Sequence, residues 1–187
     1  MPFEIGGPQY GVRDGKIGTW DGDGTYSNVI DVYGIRLLGV QLNTTSNDLK
    51  GDDAVLATAT RNEKATVRLS FASIQANIIE VISGVATIES GSTISRQKVS
   101  TKNPPYVGVA GQAFAEELLG DCHIFVPKAK MTEGFEVRFE LDSFSIPELT
   151  LSAVQDDNFL DAEDYPVLFV IDQHDAHTAI ALPPTGM

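Results

Sequence analysis

The sequence predicts a mainly β protein: a β-sandwich or barrel of short, mostly antiparallel strands, with one short helix packed on it and extended loops and arms. Three observations predict it. Ala65, Val67, Leu69 and Phe71 alternate with Thr66, Arg68 and Ser70, the period of a strand with one buried and one wet face. Turn-forming residues punctuate the rest of the chain at short intervals, as in sandwiches and barrels. Only one segment, Ile74, Ile78, Val81 and Ile82, carries helical spacing.

The elements follow in chain order. Residues 1–28 are rich in turn formers (Gly6-Gly7-Pro8, Asp14-Gly15, Asp21-Gly22-Asp23-Gly24) and read as an N-terminal arm or edge region. Phe3, Tyr10 and Trp20 would anchor it, with short strands near Gln9–Arg13 and Lys16–Trp20. A strand is expected over Val29–Leu42, broken or bulged at Gly34 and Gly39. Asn43–Asp53 is polar and reads as an exposed loop, with Asp48, Lys50, Asp52 and Asp53 as candidate contacts to a neighbouring molecule. A hairpin should follow, Ala54–Thr60 against Ala65–Phe71, turning at Arg61-Asn62-Glu63-Lys64. Ser73 is placed to cap the helix and Gly84 to stop it.

Glu89–Lys102, rich in Ser and Thr, reads as a long exposed hairpin or mobile loop. Short strands are then expected at Tyr106–Phe114, Cys122–Val126, Phe135–Leu141, Leu149–Val154 and Val167–Ile171. In Phe135–Leu141 the alternation puts Glu136, Arg138 and Glu140, with the adjoining Asp142, on the polar face. Residues 173–187 read as a C-terminal tail. No repeat and no linker interrupts the 187 residues, so a single domain is expected.

Charge and composition narrow the function. The net charge is −13, and residues 139–187 hold ten acidic residues and no Lys or Arg. Gripping nucleic acid takes clustered cations, so a bound nucleic acid is not expected, whereas a repelled one fits. No apolar run is long enough to span a membrane. No basic segment followed by an apolar one leads the chain, so export by a signal peptide is not expected. The lone Cys122 leaves no internal disulfide.

Candidate chemistry is sparse. His174 and His177 bracket Asp175, a set that could ligate a transition metal, but a defined site needs a further ligand from a rigid element. Asp21-Gly22-Asp23-Gly24-Thr25 opens like a calcium loop, yet Val32 stands where a bidentate Glu is required, so turns are the expected reading. Cys122 and His123 are adjacent in a strand and so point to opposite faces. No nucleophile elbow, Walker loop or dinucleotide fingerprint occurs. The expectation is a structural protein without catalytic, cofactor or metal residues.

The run Gly51-Asp52-Asp53-Ala54-Val55-Leu56-Ala57, the strand pair ending at Phe71, and the segment Ala72-Ser73-Ile74 through Val81-Ile82-Ser83-Gly84 resemble major tail (tail tube) proteins of long-tailed, non-contractile bacteriophages. The resemblance covers about residues 30–90 and concerns fold more than chemistry. It implies a virion protein made in the host cytoplasm, forming hexameric rings that stack into a tube through which the genome passes. It implies as partners other copies of the chain, tail-tip and tail-terminator proteins and a tape measure protein. In such a tube Arg68, Glu136, Arg138, Glu140 and Asp142 are the expected channel-facing set, and loop 43–53 the contact between rings. The alternative is a capsid-decoration or carbohydrate-binding sandwich. Such modules show aromatic platforms on exposed loops, and residues 43–53 and 89–103 contain no aromatic residue.

Overall fold

A computed structural model describes residues 9–51, 54–72, 75–84, 87–90, 95–98, 103–115, 120–134 and 147–184. The first two strands, β1 (Gln9–Trp20) and β2 (Tyr26–Asp31), form a hairpin. Its turn is the Asp21–Gly24 stretch, closed by Asp21 N–H donating to the Thr25 carbonyl. The acidic run is therefore a turn, as its glycines suggest. β1 is one long strand and not an arm with two short ones. It lies inside the sheet between β2 and β7 (Tyr106–Ala115), absorbing Asp14-Gly15 through register shifts on either side of Val12. Gly15 is accommodated because Ile35 packs onto it; a Cβ there would stand 2.8 Å from Ile35 Cδ1. Phe3 lies outside the described residues.

The expected strand Val29–Leu42 is in fact the end of β2 and the start of β3 (Ile35–Gly51). Gly34 makes the break, with φ +64°, a conformation cheap only for glycine. Gly39 causes none: it pairs regularly with Arg68. β3 runs antiparallel to β4 (Ala54–Phe71) along its whole length, from Ile35↔Phe71 to Gly51↔Ala54. Two expectations fall together here. The polar run 43–51 is strand and not loop, and Arg61–Lys64 is interior to β4 and not a turn. At its outer end the ladder closes on Gly51↔Ala54; Asp52 and Asp53 lie outside the described residues.

The helix α1 (Ala76–Ser83) is shorter than expected. Gln75 is its N-cap, with no side-chain cap bond, and Ser73 and Ile74 lie outside the described residues. Gly84 ends it in the left-handed conformation, its N–H donating to the Glu80 carbonyl. Gln75 also ties the helix to the β2–β3 turn: its amide donates to the Tyr33 carbonyl, and Tyr33 N–H donates back to it. Two short strands, β5 (Thr87–Ser90) and β6 (Ser95–Lys98), then pair as a separate hairpin, the form expected for part of Glu89–Lys102.

The remaining strands are β8 (Asp121–Met131), β9 (Glu148–Ala153) and β10 (Val170–His174). Phe135–Leu141 lies outside the described residues. The large sheet is antiparallel, in the order β2-β1-β7-β8-β9-β4-β3. β8 takes β7 along one edge. Its other edge is shared, with Asp121–Phe125 pairing β10 and Ala129–Met131 pairing β9. The path ends in β2 and β3, and among the described residues no ladder joins them.

One main core fills the curled sheet. Ile17, Ile35, Val67, Leu69, Phe71, Val107, Val109, Val126, Leu149 and Leu151 meet Ile78, Val81 and Ile82 of the helix. The period-two face of β4 and the helical stripe thus bury together, as their spacing requires. A smaller cluster lies elsewhere: Ala110, Phe125 and Ile180, with Tyr26, Phe159, Val170 and Leu182 against them. Ile180 and Leu182 belong to residues 173–187, so the chain expected there as a tail is packed onto the sheet at these positions.

Candidate assembly surface and a buried histidine–aspartate cluster

Near the body, β4 is flanked on both sides, by β3 and by β9 at Ala65–Ser70. Beyond Lys64 the ladder to β9 has ended, and among the described residues β3 and β4 continue as a two-stranded ribbon. Every residue from Gln41 to Asp48 is exposed, as are Ala57–Thr60 opposite. Successive strand residues point to opposite faces, so both faces of the ribbon are wet. Asn43 to Gly51 spans roughly 25–30 Å of strand. Thr58 Oγ1 donates to Asp48 Oδ1 at 2.7 Å, and Asn43 Nδ2 donates to Thr66 Oγ1 at 2.8 Å. These side-chain bonds brace the ribbon without giving it a core. A hairpin with no buried face is marginal in water.

The expected contact residues therefore sit on a strand. Asp48 is exposed on β3 opposite Thr58, and Lys50 pairs with Val55; Asp52 and Asp53 lie outside the described residues. Of the expected channel set, Arg68 is exposed on β4 between Gly39 and Thr150. With Glu133 and Glu148 it lines a cleft of about 530 Å³. Glu136, Arg138, Glu140 and Asp142 lie outside the described residues.

The sequence reading missed a second site. In the β8–β10 ladder Asp172 faces His123 and His174 faces Asp121, so all four side chains share one sheet face. Gln112 of β7 joins the same row beside His123. His177, just past β10, reaches back to this face. All three histidines of the chain thus gather around Asp121. That carboxylate is fully buried and has three donors. His177 Nδ1 lies 2.7 Å from Oδ1, and Thr178 N–H and Gln112 Nε2 each lie 2.7 Å from Oδ2. Burial pushes the Asp121 carboxyl up, but the bonds from His177, Thr178 and Gln112 outweigh it and hold it below the usual carboxylate range.

His123 is the strained member. Its Nε2 is buried without a hydrogen-bond partner, 4.0 Å from Asp121 Oδ2, and its ring centre lies 4.4 Å from that of His174. Burial, then the nearby His174 charge, pushes its pKa down; Asp121, Asp172 and the Thr178 backbone pull the other way and lose. Cys122, one residue away, faces the opposite side and lines a cleft with Gly11, Leu38 and Gly111. The two side chains thus diverge, as their adjacency in a strand requires. Among the described residues, no three His, Cys, Asp or Glu side chains are placed to hold one metal ion.

A signal for this cluster was present. Asp-x-His occurs three times, at Asp121–His123, Asp172–His174 and Asp175–His177, and the first two lie within strands, where that spacing puts both residues on one face. What the sequence does not show is that the two strands are neighbours. No protein-family model matches the chain, and no curated protein is similar to it in sequence. No helix among the described residues is long and apolar enough to cross a membrane.

Proposed function

We propose that this chain is a structural subunit that assembles with copies of itself, the outer β3–β4 ribbon being the arm that reaches a neighbour. The observation that supports this most is that ribbon, exposed on both faces and, among the described residues, at the end of the sheet path, a position that strand addition uses. The finer form comes from the resemblance over residues 30–90: hexameric rings stacked into a tail tube that conducts a genome. The net charge of −13 suits a conduit, since a surplus of cations would hold DNA and slow its passage.

A carbohydrate platform has less support. The single Trp20 is engaged, its indole N–H donating to Asp156 at 2.7 Å and Lys128 Nζ lying 3.8 Å from the ring centre. Sedimentation velocity and electron microscopy of the purified chain over a range of concentrations test the proposal. Six-fold rings or tubes are the expected result. A monomer at every concentration, with no tubes in micrographs, overturns it.

A further inference from the structure

We propose that residues 176–182 form an acid-released latch on the outer face of the β7-β8-β10 strands, governed by His123. The segment is held at two places. Thr178 is clamped through its backbone, its N–H donating to Asp121 and its carbonyl accepting from Gln112 Nε2 at 3.0 Å. Ile180, 5% exposed, then seals the small cluster containing Ala110 and Phe125. Between the clamp and the sheet lies a cavity of about 60 Å³, lined by His123, Asp172, His174, Thr178 and Ile180 among others. The segment, the clamp and the histidine pair are thus one contiguous structure.

The release follows from the groups facing His123. Asp121 stands on its own strand, Asp172 and His174 on β10, His177 and the Thr178 backbone on the latch, and Gln112 on β7, with Asp14 beyond it on β1. Asp121 is already engaged by three donors, and His174 presents a second imidazole at close range. His123 is nine-tenths buried, so a proton placed on it charges a poorly solvated ring beside another histidine. The neutral ring favours the folded arrangement. That contribution is fully present above the ordinary histidine range and is lost as pH falls through the depressed value of the folded state. Asp121, also depressed, acts in the same direction at lower pH. His177 holds its contact with Asp121 from the solvent side, its side chain 62% exposed. Acid therefore loosens the latch first at His123, uncovering Phe125 and Ala110.

Hydrogen exchange of the intact chain, read by mass spectrometry at about pH 7.5 and about pH 5 and corrected for intrinsic rates, tests this. Protection across 176–182 should fall roughly tenfold in acid, the scale of one lost hydrogen bond to a charged group, while β7 is unchanged. His123→Phe should abolish the response. His177→Ala should lower protection at both pH values and keep the response. PH-independent protection in the wild type, or a full acid response in His123→Phe, overturns the proposal. If His123→Phe does not fold, the imidazole titration of wild-type His123 by NMR decides. Titration below the ordinary histidine value supports the latch, and titration at or above it overturns it.

Discussion

The two halves of the β3–β4 hairpin are made of the same two strands and behave as different objects. The inner half, Ile35–Val40 against Val67–Phe71, is flanked by β9 and backed by the helix, with Val67, Leu69 and Phe71 at 1% exposure or less. The outer half, Gln41–Asp48 against Ala57–Thr60, has solvent on both faces. One half is explained by the stability of the subunit. The other adds little to that stability, yet the two strands stay paired through it despite register shifts at Asn43/Thr44 and Leu49/Lys50, and the proposed assembly would give that pairing a use. The contrast separates substitutions that unfold the protein from those that leave it folded and alone.

The largest effects belong to the inner half and what packs on it. Phe71→Ala should cost about 3–5 kcal/mol and Ile78→Ala about 2–5 kcal/mol, measured by denaturant unfolding. A loss below about 0.5 kcal/mol at either position would mean that the core is not where it has been described. Next comes Asp121→Asn, away from the hairpin. It weakens the clamp on Thr178 and should cost about 1–3 kcal/mol at neutral pH. Because the Asp121 carboxyl is held below the usual range when folded, its contribution is lost as pH falls through that depressed value. The gap between variant and wild type should accordingly shrink in acid, and a gap that widened would reverse the assignment. Smallest is Thr58→Ala in the outer half, which removes the bond to Asp48 and should change stability by no more than about 0.5 kcal/mol.

Particular residues show what could be read from the sequence. Ala65–Phe71 announced its face because one side is buried, and Ile78, Val81 and Ile82 did the same for the helix. The outer ribbon has no buried side, so Asn43-Thr44-Thr45-Ser46-Asn47-Asp48 carries no alternation and reads as a loop. Its strand character comes from pairing, and pairing leaves no period when both faces are wet. β1 was hidden differently. Asp14-Gly15 has the composition of a turn, but Gly15 is needed inside a strand because Ile35 approaches it. The histidine cluster was legible only as Asp-x-His spacings, since contact between His123 and His174 depends on β10 returning to β8 across half a hundred residues.

The most direct measurement compares the intact protein with a variant in which residues 43–62 are replaced by a short Gly-Ser turn joining Leu42 to the inner part of β4. Both would be examined by circular dichroism, unfolding and electron microscopy. The account predicts a variant that folds, with stability close to wild type, and forms no rings or tubes where the intact chain does. Normal assemblies from the shortened variant would contradict it.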